Sequence, residues 1–293
     1  MTTIETVTGR RPVSELGITL MHEHLLIGWP GWESDTAAPR YDRAEVRRKC
    51  VDRMAGLKQL GLGTLLDPCP IDLGRDVELA AEVAQATGVN IVCATGLYKE
   101  DQGAAPYFRF RSAFTDVVSE MTETFVRELT EGIGSSGIKA GVIKVATGKG
   151  QITAYERMVL TAAARAHKET GAPITTHTEE GTMGREQIDV LTAEGVSPQR
   201  IVVGHSCGSA DLRYHTDMLD RGAYLGFDKQ IVLSHDSVWC WRGRPFDLPE
   251  HILPKWRPTH LFEEIVPALR GAGVPQEKID NLLVHNPRRY FER

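Results

Sequence analysis

The sequence predicts an α/β protein, a (β/α)8 or TIM barrel with a short N-terminal hairpin, formed by residues 1–293 as one domain. Three observations predict it. Short apolar runs alternate with segments of helical periodicity, as βαβ units and a parallel sheet require. Eight such runs can be counted. Their C-terminal ends, where a barrel of this kind gathers its chemistry, repeatedly carry histidine, with a lysine and an aspartate among them. An open doubly wound sheet would favour a Gly-rich phosphate loop after the first strand; Met21-His22-Glu23-His24 stands there instead.

Residues 3–17 read as a hairpin, with a strand over Ile4–Val7, a turn at Gly9-Arg10-Arg11-Pro12 and a return into the first barrel strand. That strand is the run Leu16–Leu20. The loop Gly28-Trp29-Pro30-Gly31-Trp32 follows, its tryptophans either walling an apolar pocket or covering the rim. Residues 43–60 form an amphipathic helix, and Gly63–Asp67 is the second strand, stopped by Pro68. A helix over Asp76–Thr87 ends at Gly88, and Val89–Gly96 is the third strand, with Tyr98 just past its end. A long loop, Lys99–Ser112, precedes a helix over Phe114–Glu131. Ile138–Val145 is the fourth strand and Ala154–Thr170 its helix. Pro173–His177 is the fifth strand, with a helix over Met183–Glu194. Arg200–His205 is the sixth, with a helix over Asp211–Arg221. Ala223–Phe227 and Gln230–His235 are the seventh and eighth strands, and Thr259–Ala272 and Gln276–Val284 are closing helices.

Composition narrows the function. Hydrophobic content of 41% and charged content of 25% are those of an ordinary globular protein. A net charge of −5 gives no reason to expect nucleic acid or an anionic membrane as partner. No apolar run approaches a membrane span, and the N-terminus lacks a basic region followed by an apolar one. Five cysteines, an odd number with no C-x-x-C pair, fit reduced thiols in the cytoplasm.

The strand ends carry the chemistry. In an extended chain His22 and His24 point to one face, with Glu23 turned away. His177 ends the fifth strand, His205 the sixth, and His235-Asp236 the eighth. One histidine at a strand end is usually structural. Several histidines and an aspartate at the same end of different strands are hard to explain as packing. Four imidazoles and a carboxylate exceed the needs of one four-coordinate ion, so two divalent cations sharing a bridging ligand are expected. Zinc comes first, with iron, cobalt and manganese also suited to an imidazole–carboxylate site. Lys144 sits within the apolar fourth strand. It reads as a salt-bridged core lysine, as one reaching to the rim, or as a carbamate formed with CO2 that bridges two cations. Spacing alone does not choose.

Met21-His22-Glu23-His24, Val142-Ile143-Lys144-Val145, Thr175-Thr176-His177-Thr178, Val203-Gly204-His205 and Leu233-Ser234-His235-Asp236 resemble, in order and spacing, the metal motifs of the phosphotriesterase family. That family belongs to the amidohydrolase superfamily and includes the phosphotriesterase-like lactonases. Gly74-Arg75-Asp76 and Asn286–Phe291 look like it too. The resemblance covers nearly the whole chain. It implies that His22, His24 and Asp236 hold the more buried ion and His177 and His205 the more exposed one, with N6-carboxylated Lys144 and a hydroxide as bridges. It further implies a hydrolase in which that hydroxide attacks a lactone carbonyl, acyl-homoserine lactones among them, with promiscuous organophosphate triester hydrolysis. Asp236 takes up the proton. Tyr98 is implied as a substrate or hydroxide partner; its other reading is a rim aromatic. Trp239 and Trp241 after the eighth strand, and Asp228 at the end of the seventh, are candidate substrate-binding residues. A homodimer is the implied assembly. The alternatives are a dedicated phosphotriesterase (aryldialkylphosphatase) and a barrel that keeps metals without catalysis.

Two departures bear on this. Many hydrolases of the family carry an aspartate three residues after the sixth-strand histidine, and here that position is Gly208, with Asp211 nearby. The connection between the seventh and eighth strands is abnormally short: Lys229 alone separates Asp228 from Gln230, whereas a parallel crossover takes roughly a dozen residues. Either a stretch is left out of this sequence, or it has been deleted, or the two runs are not both barrel strands. Both flanks read as barrel strands, which favours the first two. An intact mass near 32.4 kDa would exclude omission.

Overall fold

A computed structural model describes residues 2–226, 233–244 and 255–292. Asp228, the connection between the seventh and eighth strands, and residues 230–232 of the expected eighth strand lie outside the described residues.

The N-terminal hairpin pairs β1 (Thr3–Thr6) with β2 (Gly9–Pro12), from Thr3↔Pro12 to Thr6↔Gly9. The chain therefore reverses at Val7-Thr8, and the segment expected as the turn is the second strand. The Thr6 hydroxyl closes this tighter reversal by donating to the Gly9 carbonyl at 2.6 Å, and Gly9 supplies φ of 104°.

Among the described residues, seven parallel strands then follow one another in sequence order: β3 (Ile18–Leu20), β4 (Leu62–Asp67), β5 (Asn90–Gly96), β6 (Val142–Thr147), β7 (Ile174–Thr178), β8 (Ile201–Val203) and β9 (Tyr224–Leu225). The curled sheet closes through the extension of β3. His24 bridges Val238 and Ile27 bridges Trp241, both in parallel. Asp236 N–H donates to the His22 carbonyl at 3.0 Å and Trp239 N–H to that of His24 at 2.9 Å. Among the described residues the closing main-chain pairs run from Asp236 to Arg242, and Leu233, within the eighth strand expected at Gln230–His235, is also a bridge residue.

The helices are α1 (Arg43–Gln59), α2 (Val77–Thr87), α3 (Ala105–Arg111), α4 (Val117–Thr130), α5 (Ala154–Thr170), α6 (Gly184–Ala193), α7 (Leu212–Asp220), α8 (Val266–Gly271), α9 (Gln276–Asp280) and α10 (Asn286–Phe291). α3 occupies what reads in sequence as loop, with a proline at its start. The helix expected over Phe114–Glu131 begins only at Val117, because Asp116 caps it by accepting from Ser119 N–H at 3.2 Å. Thr153 and Glu156 form a capping box on α5, whose Ala162, Ala163, Ala164 and Ala166 are fully buried. Inside the barrel, Leu66, Val92, Ala94, Val142 and Val202 form one cluster with Ile4 and Val13 of the N-terminal segment and Tyr290 and Phe291 of α10. These termini cap the N-terminal end of the strands and leave the C-terminal end for the site.

Candidate metal centre

Beyond Leu20 the chain bends at Met21-His22 and is tied on both sides. Glu23 N–H donates to the Leu66 carbonyl at 3.1 Å, while His22 N–H goes to Ser234 Oγ at 2.9 Å and His24 N–H to the Ser237 carbonyl at 3.0 Å. Alternation then sends the His22 and His24 rings into the barrel mouth, their centroids 5.4 Å apart, and Glu23 the opposite way. His177 is next to last in β7. His205 follows β8 at φ 55°, a left-handed turn that swings its ring to within 4.3 Å of His177 and 4.9 Å of His22 between centroids. Asp236, also left-handed at φ 50°, places Oδ1 3.4 Å from His22 Nε2 and 3.3 Å from His24 Nε2, and Oδ2 3.8 Å from His205 Nδ1. Lys144 Nζ lies 3.3 Å from His22 Nε2. Lys144 is 1% exposed, so it does not reach to the rim.

The electrostatics favour cations. Burial, reinforced by Lys144 and the neighbouring imidazoles, holds His22 well below its ordinary value. Burial and His205 do the same to His177. Both are neutral imidazoles with lone pairs to give. Burial pulls His24 down, but the carboxylates of Asp236 and Asp67 outweigh it and raise His24. For Asp236, burial raises the carboxyl, while His205, His24 and Lys144 bring it below the ordinary value. His22, His24 and Asp236 bring three ligand atoms within 4.8 Å of one another. Neutral His22 and ionised Asp236, with a His24 whose Nε2 proton a bound cation would displace, are the donor set that borderline divalent cations take, so the residues present fit such ions.

Two carboxylates behind the histidines were not among the sequence candidates. Asp67 Oδ1 lies 3.0 Å from His24 Nδ1, and the same side chain accepts from Leu25 N–H and Cys69 N–H. It fixes the tautomer in which Nδ1 carries the proton and Nε2 faces Asp236. Asp67 ends the second strand, so the strand-end rule that singled out the histidines would have found it. Glu23, fully buried, accepts from Ser234 Oγ (2.7 Å), His235 N–H (2.6 Å), Ser237 N–H (3.0 Å) and the Ser237 hydroxyl. Burial pushes its carboxyl up to about 7 against these four donors.

The mouth opens into two lobes that share Tyr98, His177, His205 and Asp236. One, of about 210 Å³, is walled by Ile27, Trp29, Leu73, Val238, Trp241 and Trp256. The other, of about 310 Å³, carries Lys99, Gln102, Glu179, Glu180, Cys207 and Gly208. The Tyr98 hydroxyl is 3.3 Å from His177 Nδ1, and burial, with Asp236 and Glu179 nearby, raises it far above its ordinary value, so it remains a protonated donor. Trp29 walls the cavity, whereas Trp32 stacks under Arg242. Trp241 lines the apolar lobe. Trp239 does not: it is 4% exposed, clusters with Leu25 and Met54, and donates to Ser237 Oγ at 3.1 Å.

Gly208 and Asp211 supply no carboxylate to the mouth. A Cβ at Gly208 would come 2.5 Å from main-chain atoms of Glu180 and Gly181, and Asp211 caps α7 by accepting from Arg213 N–H.

The sequence pattern of the phosphotriesterase family matches residues 2–235 and 226–291, two segments that overlap over 226–235, where the strand connection is short. A phosphotriesterase homology protein of Mycobacterium tuberculosis is 35% identical across all of this chain and 98% of its own length. That alignment spans 322 positions, 29 more than this chain has residues. An organophosphorus hydrolase from Deinococcus radiodurans superposes with a TM-score of 0.94 at 39% identity, covering 99% of this chain and 97% of its own. A variant of a D. radiodurans PTE-like lactonase gives the same TM-score at 38% identity, over 99% and 100%. Sequence, barrel and convergent donors agree: this chain is a hydrolase that belongs to the phosphotriesterase family.

Proposed function

We propose that the chain is a binuclear metal-dependent lactonase with a weaker activity on organophosphate triesters. The observation that carries this reading is the convergence of His22, His24, Lys144, His177, His205 and Asp236 on one mouth, with the Tyr98 hydroxyl against His177. In this reading His22, His24 and Asp236 hold one divalent cation, zinc by preference, and His177 and His205 a second. Bound there, such cations supply water acidic enough to ionise near neutral pH and polarise the substrate's acyl oxygen. Lys144, buried beside His22, would release two protons on adding CO2, one from the ammonium and one as the N–C bond forms, and the resulting carbamate anion could serve as a ligand shared by the two cations. Asp236, partly open to the cavity, accepts the proton released as the acyl carbon is attacked, and can pass it to solvent. Tyr98 donates to the lactone's ring oxygen as the ring opens.

An apolar lobe beside a polar one suits a lactone with an aliphatic substituent, and acyl-homoserine lactones have that form. The dedicated phosphotriesterase reading has less support, because neither Gly208 nor Asp211 offers a relay carboxylate. The five cysteines are all free, which supports the cytoplasm as its compartment, and the reading includes a homodimer. Among the described residues no helix is long and apolar enough to cross a membrane.

The test is hydrolysis by metal-reconstituted, intact protein of an acyl-homoserine lactone panel and a paraoxon-like triester, with and without chelator. Chelator-sensitive turnover with higher kcat/KM on lactones is expected. No chelator-sensitive lactone hydrolysis would overturn the reading, and a triester preference would favour the phosphotriesterase. Incorporation of ¹³C-bicarbonate at Lys144, lost in Lys144→Met, tests the carbamate.

A further inference from the structure

We infer that Glu23 is a positioning residue for the metal centre: its carboxylate gathers Ser234, His235 and Ser237 into one turn and thereby aims Asp236 at His22 and His24. The inference rests on the proposed role of those three residues as ion ligands.

Four donors fill the carboxylate, two on each oxygen, and they come from both sides of Asp236. His235 N–H and Ser237 N–H bracket the aspartate in sequence, so one anion fixes the backbone immediately before and after it. Asp236 sits at φ 50°, a left-handed conformation that aspartate tolerates better than most residues with a Cβ but that still gains from being held on both sides. Glu23 supplies much of that hold. The 2.6 Å contact from His235 N–H is short for a main-chain donor to a carboxyl oxygen. The other ties between the two segments are the main-chain bonds of Asp236 N–H to His22, His24 N–H to Ser237 and Trp239 N–H to His24, the bridges at Val238 and Trp241, and the Ser234 hydroxyl, which meets both the N–H and the carbonyl of His22. These set the register of the closing strand. They do not reach the His235 and Ser237 N–H groups that Glu23 holds. Its place between two histidines follows from alternation: a residue whose neighbours on either side face the mouth must face the adjoining segment, and that segment carries the ligand Asp236. Asp67 orients His24 from one side, and Glu23 orients the carboxylate ligand from the other.

The experiment titrates metal-depleted, full-length protein with cobalt(II), read by calorimetry and by the visible absorption of the bound ion. The proteins are the parent, Glu23→Gln, Ser237→Ala and the double variant. The glutamine keeps the shape but turns one acceptor oxygen into a donor facing donors. Glu23→Gln should lower cobalt affinity about 10–100-fold and alter the absorption band. It should reduce kcat with KM for a lactone near the parental value. Ser237→Ala should lose less, and the double variant no more than Glu23→Gln, since both act through one network. A purely structural tie would lower the unfolding midpoint of the metal-free protein and leave cobalt affinity and the band unchanged; that result overturns the inference. If Glu23→Gln does not fold, Ser237→Ala decides: weakened cobalt binding supports the inference, and parental binding overturns it. A parent that binds no cobalt defeats the proposed function itself, whereas a binding parent with an equally tight Glu23→Gln defeats only this inference.

Discussion

Replacing Gly208 by aspartate would restore the carboxylate that many hydrolases of the family carry after the sixth-strand histidine. It should cost stability without improving triester turnover. Gly208 ends a tight turn, Ser206–Gly208, packed against the turn Glu179–Gly181. A Cβ there would lie 2.5 Å from Glu180 C and Gly181 N and 2.9 Å from Glu180 Cα. Carbon contacts are most favourable near 3.5–4.0 Å, so the overlap is about 1 Å, and every clashing atom is main chain. Rotating a side chain cannot relieve it. The two turns must part; one follows His205 directly and the other begins two residues after His177. Overpacking of this kind costs roughly 1–3 kcal/mol. The assay is urea unfolding of metal-loaded Gly208→Asp and Gly208→Ala, with kcat/KM on a paraoxon-like triester. Because the first side-chain carbon is the offender, alanine should lose about as much as aspartate. Triester kcat/KM should not rise in either. An alanine variant as stable as the parent, or an aspartate variant with raised triesterase activity, would refute the steric argument.

Other expectations follow from single contacts. Asp67→Asn removes the anion that holds the His24 Nδ1 proton, and cobalt titration should show affinity down about 10–100-fold; unchanged affinity would remove Asp67 from the centre. Arg75 is nearly buried, with 2.8 and 2.7 Å bonds to Glu128 and a third bond to the Ala94 carbonyl. Glu128→Ala strands that guanidinium and should cost about 3–5 kcal/mol in denaturant unfolding; a loss under ~1 kcal/mol would mean water reaches it. Asp72 accepts from Tyr98 N–H and Ala104 N–H, yet burial raises its carboxyl from 3.8 to about 6, against those bonds and Arg75. A folded pKa above the unfolded one means the native state binds the proton more tightly. Its stability contribution is therefore complete below 3.8 and is lost as pH rises through about 6. Unfolding free energy measured across that window should fall in the parent more than in Asp72→Asn; parallel curves would contradict it.

The alternation of strands and helices, the parallel sheet, and the gathering of several imidazoles and an aspartate at one mouth were legible in the chain itself. Those signals are local: side chains alternate along a strand because of backbone geometry, and a parallel barrel puts every strand's C-terminal end on one face. His22, His24, His177, His205 and Asp236 needed no contact information to be grouped. α3 and the early hairpin reversal were missed because a proline-initiated turn and a threonine hydroxyl outweighed the apparent loop and turn residues. Only the tertiary structure decided what stands behind the donors. That Asp67 meets His24, that Glu23 meets Ser234 and Ser237, and that Trp241 rather than Trp239 faces the cavity depend on register between strands distant in sequence. Gly208, a missing carboxylate in the sequence, is in three dimensions a place where two backbones touch. Local spacing specifies where a side chain points, and only the packing of separate segments specifies what it meets there.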